Sequence, residues 1–145
     1  MTDGVCRGQG RFRVDIHVAL EKWHSVAKAR GGLDVAELIA EDAVFYSPLV
    51  FKPQPGRALV TMYLTGALHV LNNDSFHYVG EWHAKDSAVL EFNCVVDGVE
   101  VDGIDMIAWN EAGLIKSFKV MLRPMRAITL VQGRMAEMLE TLRKG

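Results

Sequence analysis

Residues 103–118 read GIDMIAWNEAGLIKSF, and they decide the fold of the chain. Two apolar runs flank the segment Asn110 to Gly113, which has the length and the glycine of a longer hairpin turn. The pattern predicts two strands joined by that turn, Val99 to Trp109 and Leu114 to Arg123. Such a pair is typical of an antiparallel sheet.

Two more strands precede this pair along the chain. Phe76 to Trp82 and Ala88 to Val96 are predicted as strands because they are short runs rich in apolar residues. Asp97-Gly98 between the second strand and Val99 indicates a two-residue hairpin, since both turn positions need positive φ. We therefore expect a four-stranded meander.

Helical periodicity lies on both sides of the meander. The predicted helices are Asp15 to Arg30, Val35 to Ala40, Ala58 to Leu71 and about Met125 to Leu142, with a short strand from Ala43 to Tyr46 and a loop from Phe51 to Gly56. This order predicts an α+β fold in which the N-terminal helices wrap a curved antiparallel sheet into a cone with an internal pocket. Residues 1–13 are expected to be a loose leader, and residues 14–145 a single domain.

The composition is that of an ordinary globular protein and argues against several functional classes. Half of the residues are hydrophobic and 23% are charged, which argues against disorder. The net charge is −2 and no basic face is evident, so we expect no nucleic-acid partner. No apolar run approaches the length of a membrane span, so no membrane partner is expected. Cys6 and Cys94 form no C-x-x-C pair, and free thiols fit a cytoplasmic location.

The sequence contains no recognisable metal or cofactor motif. The five histidines form no H-x-x-x-H or H-E-x-x-H pair: His17, His24, His69, His77 and His83. A P-loop, a dinucleotide fingerprint and a Gly-x-Ser-x-Gly elbow are also missing from the sequence. We therefore predict neither a metal nor a cofactor.

Asp105 is the candidate catalytic residue, and its orientation is the open question. It shares one face of its strand with Ile107 and Trp109. If that face is inward, the carboxylate needs partners or a raised pKa, because burying an unpaired charge is costly. If it is outward, Asp105 is an ordinary solvated strand residue, and the strand pattern alone favours this second position.

Two stretches resemble the nuclear-transport-factor-2-like superfamily, also called SnoaL-like, which includes ketosteroid isomerases, polyketide cyclases and limonene-epoxide hydrolases. One is residues 103–118, which match the family's strand, turn and strand, and the other is residues 33–48, LDVAELIAEDAVFYSP. The resemblance covers about Val14 to Arg123 and implies the cone fold. It also implies that Asp105 is the family's inward-facing strand aspartate.

The resemblance further implies which of the family's chemistries fit. In the isomerases a tyrosine on the first helix and a protonated strand aspartate hold the oxyanion, and an aspartate before a proline moves the proton. Here the tyrosine position falls on Trp23, and the proton-moving position falls on Ser47, whose hydroxyl is too weak a base on its own. Ketosteroid isomerisation is therefore disfavoured. The family's cyclases can work with one strand aspartate, a role that Asp105 matches.

The predicted ligand is a small hydrophobic molecule of carbonyl- or polyketide-like type, with Asp105 as acid/base. The predicted pocket lining comprises the aromatic and aliphatic side chains Trp23, Tyr46, Tyr63, Phe92, Ile107, Phe118, Val120 and Leu122. The alternative is a domain without turnover, either a binder of hydrophobic ligands or a dimeric interaction module. Val89, Val95 and Met121 make the outer sheet face partly apolar, which fits either a homodimer through that face or scattered surface residues.

Overall fold

The computed structural model describes residues 14–29 and 34–144, so the expected leader at residues 1–13 lies outside the described residues. The helices are α1 (Ile16–Ala29), a short 3-10 helix (Val35–Leu38), α2 (Arg57–Leu71) and α3 (Met125–Lys144). The strands are β1 (Ile39–Tyr46), β2 (Gln54–Pro55), β3 (His77–His83), β4 (Ser87–Val96), β5 (Val99–Trp109) and β6 (Ile115–Arg123). The α+β class and the predicted meander are confirmed.

One six-stranded sheet, in the order β2-β1-β6-β5-β4-β3, forms the centre of the fold. The meander β3 to β6 is antiparallel throughout. β1 differs from the expected antiparallel arrangement because it runs parallel to β6, so the sheet is mixed. A parallel pair needs a long crossover, and here α2 and the whole meander separate the two strands. The predicted loop at residues 51–56 contains β2, whose two residues pair with β1.

The two predicted turns have the backbone geometry that their sequences indicate. Asp97 has a φ of 50° and Gly98 a φ of 79°, so both central positions of the β4–β5 hairpin lie in the left-handed region. In the β5–β6 turn, the Asn110 side chain accepts hydrogen bonds from the amides of Ala112 and Leu114. Gly113, with a φ of 80°, completes that turn.

The inner face of the sheet carries the core, as the period of two predicts. In β4, five alternate residues are buried: Ala88, Leu90, Phe92, Cys94 and Val96. Gly103, opposite Phe92 in β5, lets this face close tightly. A Cβ atom at Gly103 would lie 2.5 Å from Cζ of Phe92 and 2.7 Å from Cδ2 of Leu122. Only glycine therefore allows these two side chains to pack across β5.

The helices cover the inner face and its ends. α1 buries Leu20, Trp23 and Val26 at helical spacing against the core. α3 buries Ala127, Val131 and other side chains against a second apolar cluster around Phe92. None of the described helices combines the length and the apolarity that crossing a membrane requires. Both clusters meet the inner face of β5, where Asp105 lies.

Candidate active site

Asp105 faces inward, and it is the one buried charged residue in the part of the chain that the structure describes. Only 7% of it is exposed. Its cross-strand neighbours Leu90 and Val120 are buried, as are Ile107 and Trp109 on its own strand. The outward position that the strand pattern favoured is therefore not adopted. The inward position implied by the family resemblance is the one found.

A chain of two hydrogen bonds ends on the Asp105 carboxyl. The Tyr78 hydroxyl donates to Oδ2 of Asp105 at 2.8 Å. The indole Nε1–H of Trp23 donates in turn to the Tyr78 oxygen at 3.0 Å. These residues come from β5, β3 and α1, so the network joins the first helix to the sheet across the core.

Burial controls the ionisation of this network. Desolvation raises the pKa of Asp105 from its ordinary 3.8 to about 7, while the hydrogen bond from Tyr78 opposes that rise by stabilising the carboxylate. Desolvation also raises the pKa of Tyr78 well above 10.0, and the nearby charge of Asp105 raises it further. Near neutral pH, Asp105 therefore populates both its acid and its base form, and Tyr78 remains a phenol.

Asp105 and Tyr78 line a cavity of about 30 Å³ with mainly apolar walls. Its other lining residues are Trp23, Leu64, Ala67, Leu68, Leu71, Asn72, Phe76, Phe92, Phe118 and Val120. A space of this size suits a water molecule, and it is far below the roughly 300–1,000 Å³ of drug-sized ligand sites. A larger ligand would need the walls to move apart.

Four of the residues predicted to line the pocket share this cavity with Asp105: Trp23, Phe92, Phe118 and Val120. The structure places Tyr46 elsewhere. Phe45 is buried with 2% exposure, so the next residue along β1 points to the opposite face. There the Nζ atom of Lys119 lies 5.1 Å from the centre of the Tyr46 ring.

Tyr63, Ile107 and Leu122 also lie outside the lining of this cavity. Tyr63 stacks on Phe45 with 5.2 Å between the ring centres. Ile107 is buried in the core with 1% exposure, and Leu122 packs over Gly103. Each is used for packing between elements.

The residue that the sequence reasoning missed is Tyr78. It pairs with Phe92 across β3 and β4, and cross-strand partners share a face, so a correct strand register would have turned its phenol inward. A β-bulge between Tyr78 and Gly80 hides this relation in the sequence. Trp82, four residues after Tyr78, is accordingly 57% exposed.

Ser47, the position at which the isomerases carry their proton-moving aspartate, does not line the cavity. Its hydroxyl accepts a hydrogen bond from the amide of Leu49 at 3.0 Å. This is a local turn contact of the kind that serine commonly makes. The hydroxyl of Ser47 is therefore engaged outside the site.

A cluster of His24, Glu81 and His83 lies at the surface beside Tyr78. Nε2 of His24 is 2.9 Å from one carboxylate oxygen of Glu81, and Nε2 of His83 is 2.5 Å from the other. Burial would raise the pKa of Glu81, but the hydrogen bonds from His83 and His24 lower it overall. The ring of His24 also packs edge-on against Tyr78, at 5.3 Å between centres. Across the described ranges, no group of three or more His, Cys, Asp or Glu side chains is placed to hold a metal ion.

Comparisons with known proteins place this fold among solved structures. No family model matches the chain. No curated protein matches it either. A steroid delta-isomerase from Pseudomonas aeruginosa is 34% identical, with a TM-score of 0.83 and coverage of 89% of this chain and 94% of that one. An NTF2-like protein of unknown function from Mesorhizobium loti is 17% identical, with a TM-score of 0.64 and coverage of 74% and 90%.

A third solved structure shares the fold. SalBIII, an epoxide hydrolase/cyclase-like enzyme in pyran ring formation in the polyether salinomycin, is 15% identical, with a TM-score of 0.60. The match covers 77% of this chain and 95% of SalBIII. At this identity the likeness is one of fold alone.

Proposed function

The chain belongs to the nuclear-transport-factor-2-like superfamily, and on that premise we propose that it is a cofactor-independent enzyme of the SnoaL-like type. The ligand of this enzyme is a hydrophobic molecule of carbonyl- or polyketide-like chemistry, and Asp105 is the acid/base residue of the enzyme. The observation that carries this proposal is one buried carboxyl with a pKa of about 7 in the wall of an apolar cavity.

The chemistry follows from the two forms of Asp105. As a carboxylate it takes a proton from the carbon next to a carbonyl group, and as an acid it gives a proton to a carbonyl, enol or epoxide oxygen. The apolar side chains of Trp23, Phe92, Phe118 and Val120 would contact the hydrophobic body of the ligand. They also bury the carboxyl, and this desolvation raises its pKa into the useful range.

Steroid isomerisation, the activity of the Pseudomonas aeruginosa relative, fits this chain less well than a cyclase-type reaction. Moving a proton between two carbons in the manner of the family's isomerases uses a carboxylate at the position of Ser47. Here Ser47 carries a hydroxyl that accepts a hydrogen bond from the Leu49 amide. Among the described residues, Asp105 is then the one carboxyl in the cavity lining.

A second candidate is a domain without turnover, and the cavity volume of about 30 Å³ favours it. Such a domain would bind a hydrophobic ligand after widening, or would act as a homodimer through the outer face of the sheet. On that face Val95 is 40% exposed and Met121 is 48% exposed. Both candidates fit a cytoplasmic protein, and the buried Cys94 is a free thiol.

The test is a thermal-shift screen of the wild type, Asp105→Asn and Asp102→Asn against a steroid ketone, an aromatic polyketide and a terpene epoxide. A ligand at about 100 times its Kd adds about 2.7 kcal/mol of stability, which raises Tm by several degrees. We expect one class to raise Tm for the wild type and for Asp102→Asn, which changes a carboxyl on the outer face.

Ligands found in this way are then assayed for turnover. Asp105→Asn should bind the ligand and fail to convert it. Turnover that survives in Asp105→Asn would remove this carboxyl from the mechanism. Binding without turnover by the wild type would favour the second candidate.

A further inference from the structure

The donor and acceptor roles in the hydrogen-bond network of Trp23, Tyr78 and Asp105 follow from the chemistry of the Trp23 indole. An indole N–H is a donor and never an acceptor, so across the 3.0 Å contact the Tyr78 oxygen must accept. The hydroxyl hydrogen of Tyr78 is thereby directed away from Trp23. It points to Oδ2 of Asp105, 2.8 Å away.

This direction restricts where Asp105 can hold a proton. A proton on Oδ2 would either meet the hydroxyl hydrogen of Tyr78 or make Tyr78 donate to the O–H oxygen of the acid, which is a weaker acceptor than its carbonyl oxygen, and turning that hydroxyl around would point its hydrogen at the indole N–H. A proton on Oδ1 meets neither group, and Oδ2 then remains the carbonyl oxygen that accepts from Tyr78. Among residues 14–29 and 34–144, Tyr78 is the one side chain that hydrogen-bonds this carboxyl. We infer that Trp23 and Tyr78 are positioning residues that confine the acid proton of Asp105 to Oδ1.

The rings of both positioning residues are held by their neighbours. Trp23 packs edge-on against Phe118, with 4.9 Å between ring centres. Tyr78 packs edge-on against Phe76 at 5.1 Å and against His24 at 5.3 Å. Of the charged and titratable groups near Tyr78, Asp105 faces it from β5, His24 faces it from α1, and Glu81 lies on its own strand. Packing on several sides fixes the phenol oxygen between its two partners.

The inference rests on the proposed function and adds which oxygen reacts. In the base form, a lone pair of Oδ1 takes a proton from the carbon next to the ligand's carbonyl group. The electrons of the broken C–H bond form the enolate, with the charge on the ligand oxygen. In the reverse step the same Oδ1–H bond breaks and the proton returns to carbon, so Asp105 ends as it began.

The test is infrared spectroscopy of the protonated carboxyl as a function of pH, with the Asp105 band identified by its loss in Asp105→Asn. In the wild type the C=O group is Oδ2, so its band should show a hydrogen-bonded carbonyl at low wavenumber. In Tyr78→Phe the band should move to higher wavenumber, and the titration midpoint should rise by roughly one to two pH units, because the carboxylate loses its donor.

The second variant is Trp23→Phe, which leaves the phenol free to turn and to accept from Oδ2. We expect a second carbonyl band and a smaller rise of the midpoint. The matched control is Trp109→Phe, which changes another buried tryptophan of the core and should leave band and midpoint unchanged. Far-UV circular dichroism checks that each variant folds. If Tyr78→Phe does not fold, the spectra of Trp23→Phe decide whether the inference holds.

An unchanged band and midpoint in the folded variants would overturn the inference. The outcome is separable from that of the proposed function because the spectra need no substrate. Shifted bands in a protein that converts no ligand would retain the positioning role and reject the enzyme. Loss of turnover in Asp105→Asn with unshifted bands in Tyr78→Phe would support the enzyme and reject the positioning role.

Discussion

Replacing Asp105 with Asn should remove part of the dependence of stability on pH. The folded protein holds this carboxyl at a pKa of about 7, against an ordinary value of 3.8. Between these values the folded state binds more protons than the unfolded state, so the free energy of unfolding falls as pH rises. The contribution of the neutral carboxyl is fully present below about pH 4 and is lost as pH rises through about 7.

The size of the effect follows from the same two values. They differ by about three pH units, and each unit corresponds to about 1.4 kcal/mol, so the wild type loses about 4 kcal/mol at this site between pH 4 and pH 8. Asn has nearly the same shape and never ionises. We expect Asp105→Asn to match the wild type at pH 4 within about 1 kcal/mol and to be more stable by about 4 kcal/mol at pH 8.

The assay is urea unfolding of both proteins at several pH values, with the difference between them taken at each pH so that other titrating groups cancel. Asp102→Asn is the control with the opposite sign. The hydrogen bond from Arg123 to Asp102 lowers the pKa of that carboxyl overall, although burial acts the other way. Its variant should be less stable than the wild type at neutral pH, and the difference should vanish on acidification. Parallel curves for Asp105→Asn and the wild type would refute the raised pKa of Asp105.

Three further changes test the packing and the surface. Gly103→Ala should lower the free energy of unfolding in urea by roughly 1–3 kcal/mol, because the new methyl meets Phe92. Gly133→Ala on the open side of α3 is the control and should raise it by up to about 1 kcal/mol. Equal stabilities of the two variants would contradict the close approach at Gly103. If the wild type is a homodimer through the outer sheet face, Met121→Glu should convert it to monomers in light scattering, while Met125→Glu outside the sheet should not. A monomeric wild type would contradict a dimer interface on that face. Arg134→Ala breaks an exposed ion pair with Asp97, so thermal unfolding should change by about 1 kcal/mol or less, and a larger loss would mean that the pair fixes the hairpin.

Local signals in the sequence were sufficient for the meander and its turns. Asp97-Gly98 needs positive φ at both positions, and this alone determines the β4–β5 register from Val96↔Val99 onward. The buried face of β4 follows from its strict alternation. The parallel contact of β1 with β6 could not be predicted in this way, because it joins segments separated by the whole meander and no turn between them records it.

The candidate site was harder to predict because its strands carry ambiguous patterns. Asp105 shares one face of its strand with Ile107, and Met106 lies on the other face. Both faces therefore carry apolar residues, which do not tell which face is buried. Tyr78 lies just before a bulge, which breaks the even spacing that would have related it to Trp82. The pairing of Trp23 with Tyr78 joins residues that are 55 positions apart, and only the tertiary fold brings them together.

The central claim, that Asp105 transfers a proton to and from a bound ligand, is tested most directly by hydrogen–deuterium exchange on the ligand. A steroid ketone and an aromatic polyketide are incubated in D2O with the wild type, Asp105→Asn and Asp102→Asn, and deuterium at the carbon next to the carbonyl group is followed by NMR. We predict exchange with the wild type and with Asp102→Asn, and a rate lower by about a hundredfold or more with Asp105→Asn. Equal exchange rates for Asp105→Asn and the wild type would contradict the claim.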